Sequence, residues 1–328
     1  MKKSILGVEI GSRAIKLVDY RNGRVAKYAQ VDVPENTVSN GSLQSFEVVA
    51  DILKQAVREN KISNKKVALV LAENDAHLRR LILPLMNAKQ LDINLPFEFK
   101  DVITEEEDKY TFDYTLIKYI NDASDTPKEI DIMAGVTNKE LIEKYISMFR
   151  RAGLTLIKAT PREMALRSYI KSIEENIEKK DFAILDIGYH TSKIDIFKNG
   201  DYEITTEIDA GLELVEQAIA EKLGYDIHLS PQIISLNKDN ILSDETLVDV
   251  YERIAVEAMR IMNYYAFENP NSDLDTLYFC GGGSSIAQLI DEIKNTIELN
   301  IVPLSAVAGD VPPEVSMIAN CALGACLD

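Results

Sequence analysis

The chain of 328 residues contains no tryptophan, three cysteines and three histidines. Cys280, Cys321 and Cys326 form no C-x-x-C pair and are odd in number, which excludes a disulfide framework and favours buried thiols. The histidines stand far apart in the sequence. This spacing gives no support to a histidine-rich metal site or to histidine-based nucleophilic catalysis.

Positive charge is also scarce, and long apolar runs are missing. Lys and Arg number 36 against 53 Asp and Glu, a net charge of −17, and no basic stripe in the sequence offsets it. The balance argues against nucleic acid as a partner. The first residues, MKKSILGVEIGS, are interrupted by Glu9, so they predict neither a signal peptide nor a membrane span. We therefore expect a cytoplasmic protein.

The most informative feature that is present is an internal duplication. Residues 5–23 (ILGVEIGSRAIKLVDYRNG) align without a gap with residues 182–200 (FAILDIGYHTSKIDIFKNG) at a constant offset of 177. The aligned pairs include Glu9 with Asp186, Gly11 with Gly188, Lys16 with Lys193, and Asn22-Gly23 with Asn199-Gly200. Each copy predicts a strand, a tight turn at a glycine, a second strand and an Asn-Gly hairpin turn.

The duplicated turns suggest a ligand. Glycine lets the backbone approach an anion and present N–H groups to it, and the acidic residue two positions earlier can hold a cation through water. Two such hairpins predict two similar half-domains that face each other across a cleft. The occupant expected there is the phosphate chain of a nucleotide with Mg²⁺.

The rest of the first half contains an interruption. A helix over 42–60 and a buried strand over 65–72 continue the half-domain. Residues 77–152 then read as strand, helix, acidic loop, two strands and helix, which predicts a small inserted α+β subdomain.

The second half continues after its hairpin with helices over 212–226 and 244–269 and with a loop at 231–238 between them. The run TLYFCGGGSSIAQLIDEIKNTI predicts a strand, a glycine-rich turn at residues 281–284 and a helix. Glycines that lead into a helix allow a base or a phosphate to come close, and the helix N-terminus favours negative charge.

Several stretches resemble the PilM family of type IV pilus assembly proteins, in the FtsA/PilM branch of the actin-like ATPase superfamily. They span nearly the whole chain and are GVEIGSRAIKLV, LRRLILPLMNAKQLDINLPFE, AGLTLIKATPREMALR, FAILDIGYHTSKIDIFKNGD and YFCGGGSSI. The resemblance implies an actin-like (ribonuclease H-like) α/β fold with duplicated half-domains around a nucleotide cleft and an inserted α+β subdomain of the FtsA type 1C. The expected boundaries are 1–76, 153–180 and 315–328 for subdomain 1A, 77–152 for 1C, 181–212 and 275–314 for 2A, and 213–274 for 2B.

The resemblance assigns ATP or ADP with Mg²⁺ to three loops. Asp186 and Glu9 are implied to hold the metal through water. Gly211, Glu213 and Arg260 are further candidates for the ribose and base. The loop residues, carried over position by position, are Glu9, Gly11, Ser12, Arg13 and Lys16 for the first phosphate loop, Asp186, Gly188, Tyr189, His190 and Thr191 for the second, and Gly281, Gly282, Gly283 and Ser284 for the adenosine loop.

Two residues of the first loop depart from the family pattern. The family normally has Asp at the position of Glu9, and the longer side chain pushes into space that a metal-bound water usually occupies. Small hydroxyl residues are usual at the position of Arg13, which is either a phosphate clamp or a solvated surface arginine. Hydrolysis needs a polar side chain that orients the attacking water, and only His190 or the carboxylates qualify by position. No catalytic residue can be assigned, and we expect a scaffold with slow or absent ATP hydrolysis.

The resemblance also implies a function in type IV pilus assembly, with recruitment of the cytoplasmic N-terminal tail of the inner-membrane protein PilN. A groove beside the inserted subdomain, near Leu81 to Leu85 and the helix from Ala88, is expected to hold the tail by strand addition or in side-chain pockets. Self-association and pilus motor ATPases are further implied partners. Contact with the membrane is expected only through a partner, because anionic lipid repels an acidic protein. Six apolar residues either pack inside or line this groove, namely Leu81, Leu83, Leu85, Leu91, Ile93 and Leu95.

Two alternatives remain. A small-molecule kinase of the sugar-kinase branch needs a carboxylate base and a specificity pocket, and no acceptor motif is visible. An FtsA-like cell-division protein is expected to end in a linker and a membrane-binding amphipathic helix, whereas this sequence ends at Leu327 and Asp328.

Overall fold

The computed structural model describes residues 4–39, 41–122, 124–177 and 180–327. The chain divides into two compact units, Met1–Ala165 and Leu166–Asp328. Each unit contains a five-stranded mixed sheet, and the first contains an additional three-stranded sheet. Among the described helices, none combines the length and the apolar character needed to span a bilayer.

The elements of the first unit follow the predicted order, except that two short strands over 38–43 precede the first helix, which was predicted to begin at residue 42 and begins at Phe46. Its strands are β1 (Ser4–Ile10), β2 (Ala14–Arg21), β3 (Arg24–Asp32), β4 (Val38–Ser39), β5 (Ser42–Leu43), β6 (Lys66–Val70), β7 (His77–Pro84), β8 (Tyr110–Asn121), β9 (Pro127–Asn138) and β10 (Thr155–Thr160). Its helices are α1 (Phe46–Glu59), α2 (Ala88–Glu98) and α3 (Lys139–Arg151). The following helix, α4 (Arg162–Ser172), contains the division between the units.

The second unit repeats the strand pattern with different helices. Its strands are β11 (Phe182–Ile187), β12 (Ser192–Lys198), β13 (Asp201–Ile208), β14 (Thr276–Cys280) and β15 (Asn300–Pro303). Its helices are α5 (Leu212–Leu223), α6 (Ser230–Leu236), α7 (Glu245–Glu268), α8 (Ala287–Thr296), α9 (Pro313–Ile318) and α10 (Asn320–Gly324).

The two five-stranded sheets have the same topology, which confirms the duplication. The order β10-β6-β1-β2-β3 in the first unit corresponds to β15-β14-β11-β12-β13 in the second. In both, the first three strands in the chain pair antiparallel and the remaining two add in parallel. Both Asn-Gly turns have positive φ, with 56° and 85° in the first copy and 53° and 80° in the second.

The duplication extends to an irregularity of the hairpins. The pairing of β2 with β3 slips by one residue between Asp19 and Tyr20, and that of β12 with β13 slips between Ile196 and Phe197. These two positions are separated by the same offset of 177. A bulge kept in both copies gives both hairpins the same added local twist.

The core of the first sheet lies between its strands and helices α1 and α3. Helix α1 is amphipathic and turns Val49, Leu53 and Val57 toward the sheet. Helix α3 adds Tyr145 and Phe149 to the same core. In packing terms, therefore, α3 belongs with the five-stranded sheet although it directly follows the inserted strand β9.

The inserted sheet has the order β7-β9-β8 and its own core, covered by α2. Asn87 caps α2 by accepting from Gln90 N, and Gln90 Oε1 accepts from Asn87 N in return. This reciprocal arrangement satisfies two backbone donors that a helix start leaves open. It explains why the helix begins at Ala88.

One local prediction was wrong. The segment 231–238, predicted as a loop, contains α6, whose first turn includes Pro231. Proline is compatible with the first helical turn, because its missing N–H has no intrahelical partner there. The proline was therefore a helix-start signal rather than a loop signal.

Candidate functional site

The first hairpin turn is held by backbone hydrogen bonds on both sides. Gly11 N donates to Ala14 O at 3.0 Å, and Val33 N donates to Arg13 O at 3.1 Å. A Cβ on Gly11 would lie only 3.2 Å from Ala14 O. Ser12 and Arg13 occupy the turn and are half-buried.

Glu9 and Lys16 form a cross-strand ion pair just before and after this turn. They are register partners in the β1–β2 ladder, and Lys16 Nζ lies 2.5 Å from Glu9 Oε1. The side chains are 20% and 21% exposed, so the pair is partly shielded from solvent. Glu9 therefore serves as the counter-ion of the lysine in this hairpin.

The second hairpin keeps the lysine and places a carboxylate of another strand beside it. Lys193 is the register partner of Asp186, and its Nζ lies 2.6 Å from Glu207 Oε2 on β13. Thr191 Oγ1 donates to the same carboxylate oxygen at 3.3 Å. Glu207 was not predicted as a site residue.

The two hairpins thus differ in the charge on their outer strands. The position equivalent to Glu207, 177 residues earlier, is Gln30, the register partner of Lys16 on β3. In the first copy the inner strand has the long acidic residue Glu9 and this outer position is neutral. In the second copy the inner acid is the shorter Asp186 and the outer strand adds the carboxylate of Glu207.

Helix α5 starts directly on the second turn. Leu212 N donates to Gly188 O at 3.0 Å, and Glu213 N donates to Tyr189 O at 2.9 Å. A Cβ on Gly188 would lie 2.5 Å from the carbonyl oxygen of Thr191. Gly211, the N-cap residue of α5, also has no space for a side chain, because an added Cβ would lie 2.8 Å from the carbonyl carbon of Tyr189. This packing brings Gly211 and Glu213 next to the second loop.

Side chains of the second loop pair with the first turns of α5. His190 Nδ1 lies 2.8 Å from Glu213 Oε2, and Tyr189 Oη donates to Glu216 Oε2 at 3.0 Å. The Tyr189 and His190 rings meet edge to face with centroids 4.9 Å apart. Tyr189 and His190, two of the polar residues expected in this loop, therefore have carboxylate partners.

The glycine-rich turn follows β14 and lies against the end of β11. Cys280 is the parallel register partner of Asp186. Gly281 has φ +89°, and its N–H donates to Met317 O at 2.7 Å. A Cβ there would lie 2.6 Å from Ile187 N and closer still to Ile187 O and Asp186 Oδ1. The turn can approach Asp186 this closely only because residue 281 has no side chain.

The remaining residues of the turn differ in the space around them. A Cβ on Gly283 would lie 3.1 Å from Ile187 Cβ and closer to its Cγ2, whereas a Cβ on Gly282 would meet only Leu212 Cδ2 at 4.0 Å. Ser284 Oγ donates to the first carbonyl of the turn at 2.6 Å. The side of the turn that faces the start of α5 is therefore open at Gly282.

Arg260 lies apart from this arrangement. It is on α7, its side chain is 67% exposed, and its Nη1 lies 2.5 Å from Glu257 Oε1. Among the residues that the structure describes, no cluster of three or more His, Cys, Asp or Glu could hold a metal ion. The residues that the second unit brings together are Asp186, Gly188, Gly211, Glu213 and the turn from Gly281 to Ser284.

Comparison with known proteins adds a family and a fold. The sequence profile of the family described as type IV pilus assembly protein PilM matches residues 7–308. No curated protein sequence matches the chain significantly.

Three solved structures share the fold. A chain of a PilM–PilN type IV pilus biogenesis complex is similar with a TM-score of 0.81 and 19% identity, over 99% of this chain and 98% of that chain. Ethanolamine utilization protein EutJ from Carboxydothermus hydrogenoformans follows with a TM-score of 0.58 and 15% identity, over 97% and 88%. An archaeal actin homolog in complex with ADP has a TM-score of 0.50 and 12% identity, over 99% and 98%. The actin-like α/β fold expected from the sequence is thereby confirmed.

Proposed function

We propose, because the chain belongs to the type IV pilus assembly protein PilM family, that it is a cytoplasmic actin-like component of the pilus machinery that binds a nucleotide and docks the cytoplasmic tail of a PilN-type protein. The family match over residues 7–308 carries this proposal. The similarity to a PilM chain solved with PilN supports the partner.

The glycine cradle of the second unit supports the nucleotide. Gly188, Gly211 and Gly281 let the three backbone segments pack closer together than any side chain would allow, and Gly282 leaves an open side next to α5. In the proposal, the base and ribose lie at this open side, and the turn at Gly188 binds phosphate through its backbone. Mg²⁺ keeps several waters and needs one or two carboxylates besides the phosphates, which suits single residues such as Asp186.

ATP hydrolysis by the purified protein is expected to stay well below about 1 per second, near the lower end of ordinary enzymes. Positioning of the attacking water supplies most of the rate in phosphoryl transfer, and the groups available for it are engaged elsewhere. His190 pairs with Glu213, and Glu9 pairs with Lys16. Steady-state phosphate release with Mg·ATP measures this rate. A turnover of about 1 per second or faster would contradict the scaffold proposal.

The difference in charged residues between the two hairpins gives a second prediction, which concerns Glu9. Glu9→Asp shortens the carboxylate that holds Lys16, so the acid no longer fills the space proposed for a metal-bound water. Mg²⁺-dependent ATP binding is expected to tighten about threefold or more, which corresponds to roughly 0.7 kcal/mol. Isothermal titration calorimetry with and without Mg²⁺ measures the change.

The matched control is the double variant Glu9→Asp/Gln30→Glu. It gives the first hairpin the charge pattern of the second, with a short inner acid and an outer carboxylate opposite Lys16. We expect the single variant to lose hairpin stability, because its shorter acid weakens the contact with Lys16. The double variant is expected to recover this stability and to keep the gain in ATP affinity. Weaker Mg²⁺-dependent ATP binding in both variants would show that the longer Glu9 side chain contributes to nucleotide binding.

The inserted subdomain supports the partner site. Four of the six predicted apolar residues pack into or against its core, whereas Leu85 and Ile93 are 49% and 68% exposed. Ile82 and Phe97 are also exposed, at 60% and 56%. Exposed apolar side chains of this kind mark interaction surfaces. We assign the tail of the PilN-type partner to the exposed apolar face of α2, defined as Ile93 and Phe97.

The assignment is tested with the double variant Ile93→Asp/Phe97→Asp, which changes two exposed residues of α2. Binding of a labelled PilN-tail peptide, followed by fluorescence anisotropy, is expected to weaken at least about tenfold, or 1.4 kcal/mol. ATP binding is expected to stay unchanged. Tyr264→Asp/Phe267→Asp, which changes two exposed aromatic residues of α7, is the control. Equal effects of the two double variants would argue against the assignment.

A further inference from the structure

The net charge of −17 is divided unevenly between the two units. Residues 1–165 contain 25 Lys and Arg against 24 Asp and Glu, and residues 166–328 contain 11 against 29. The net charges are therefore +1 and −18. The excess acid lies entirely in the second unit, so the first unit is able to present a basic surface.

Three segments of the first unit meet at one end of its sheet. Arg21 Nη2 donates to Ser63 Oγ at 3.0 Å, next to the β2–β3 turn. Lys27 Nζ donates to the carbonyl oxygens of Asn60 and Lys61 at 2.9 and 2.8 Å. These bonds hold the β2–β3 hairpin against the end of α1 and the segment that leads into β6. Five side chains at this junction form what we call the basic end, namely Arg24, Arg58, Lys61, Lys65 and Lys66.

The basic end is exposed and has no ion-pair partner among the residues that the structure describes. All five side chains are exposed, and within the described part of the chain none of them forms an ion pair. Other cations of the first unit are neutralised, for example Arg21 by Asp19 and Arg151 by Asp51. Four of the five residues lie within residues 58–66, and the fold adds Arg24 from the β2–β3 turn to them.

The basic end is not part of the duplicated scaffold. The position equivalent to Arg24 in the second copy is Asp201, which pairs with Arg167. The shared hairpin therefore does not require a cation there. Five exposed cations without ion pairs among the described residues instead form a local excess of positive charge that is able to attract an anionic partner.

We propose that the basic end binds an anionic phospholipid surface. Protein interfaces are depleted in lysine and centred on buried apolar or aromatic residues. The stretches 21–27 and 54–66 contain no large exposed hydrophobic side chain, so the surface lacks such a centre. Clustered Lys and Arg without an apolar centre fit the diffuse negative charge of lipid headgroups, to which each cation adds its own attraction.

Local rather than net charge decides this attraction. Charges interact within about one Debye length, ~10 Å at 0.1 M salt, so a membrane senses the basic end and not the whole chain. The expectation that acidic composition repels lipid assumed an even distribution of charge. The proposal goes beyond the partner-mediated route, because lipid contact here needs no PilN-type protein.

The test is co-sedimentation of the full chain with phosphatidylcholine vesicles that contain or lack phosphatidylglycerol. We expect binding only to the anionic vesicles, and weaker binding as NaCl is raised. The triple variant Lys61→Glu/Lys65→Glu/Lys66→Glu is expected to lower the partition coefficient at least about tenfold. Lys89→Glu/Lys109→Glu/Lys118→Glu, with the same charge change on the inserted subdomain, is expected to stay within about twofold of wild type.

Several outcomes would overturn the proposal. They are binding to both vesicle types alike, no binding to anionic vesicles, or equal losses in the two triple variants. A DNA duplex bound as tightly as the anionic vesicles would assign the basic end to polyanions in general. Self-association seen by sedimentation velocity without lipid, and lost only in the basic-end variant, would assign it to a second copy of the chain. The charge-neutral variant with Gln at the same three positions repeats the test if the Glu variant fails to fold.

Discussion

Replacing Gly281 with alanine is expected to lower the free energy of unfolding by about 3 kcal/mol or more, from backbone strain and overpacking together. At φ +89° an L-residue is strained in any surroundings. The added Cβ would also lie 2.6 Å from Ile187 N and closer to Ile187 O, both of them backbone atoms of β11 that cannot turn away. The glycine-rich turn and the second hairpin must therefore separate.

Urea unfolding followed by circular dichroism measures this loss, and Gly282→Ala is the matched control. The neighbouring glycine has no positive φ, and its added Cβ would meet only Leu212 Cδ2 at 4.0 Å. Its stability is expected to change by less than about 0.5 kcal/mol. Where the Gly281→Ala protein remains folded, ATP affinity should fall at least about tenfold. Equal stabilities of the two variants would show that the turn relaxes freely and does not depend on its contact with Asp186.

Removal of the inserted sheet is expected to abolish binding of the PilN-type tail and to leave nucleotide binding intact. The deletion replaces residues 78–135 with a short Gly/Ser linker. His77 and Val136 are antiparallel register partners, and such Cα atoms lie about 5 Å apart, so the ends can be joined without strain. All the proposed nucleotide residues lie outside the deletion.

The position of the cut follows from the packing of α3. A deletion that continued through residue 152 would remove Tyr145 and Phe149 from the core of the five-stranded sheet. It would also remove the hydrogen bond that Tyr145 Oη donates to Asp75, a carboxyl group whose pKa is raised by burial. With α3 retained, loss of tail binding reports on the inserted sheet itself.

Anisotropy of the labelled tail and calorimetry with ATP measure the two activities separately. Tail binding that survives the deletion would move the partner to another part of the first unit. A groove of about 790 Å³ between α1 and α3, lined by Phe46, Met148 and charged residues such as Glu140 and Lys144, would then be the next candidate. Loss of ATP binding alone would contradict the assignment of the nucleotide site outside the insertion.

Much of the fold could be predicted because it depends on local patterns that occur twice. The offset of 177 between the two hairpins predicted both the strand pairs and their Asn-Gly turns, since positive φ at these residues is a local property. The order of elements in the insertion followed from the alternation of apolar and polar residues in its strands and from the helical periodicity of apolar residues in its helices. Contacts that depend only on neighbouring residues, such as Glu9 with Lys16 across a tight turn, were in principle available from the same alignment.

Other features depend on contacts between segments that are distant in sequence. If β12 and β13 paired in regular register outward from the second Asn-Gly turn, Lys193 would lie opposite Thr206. The bulge between Ile196 and Phe197 shifts the register by one residue and brings Glu207 opposite the lysine. Whether Ile82 is exposed while Leu83 packs inside depends on which face of the sheet α2 covers.

The sequence by itself determined the duplicated scaffold, the insertion and the glycine positions, because each rests on backbone conformation within a few residues. The tertiary structure decided that Glu207 lies next to Lys193, that α3 packs on the first sheet, and that Arg24 joins the cations of residues 58–66 in one basic end. These depend on how sheets, bulges and helices bring remote side chains together. Electrostatic and packing energies fall off over a few ångströms in space, irrespective of separation along the chain.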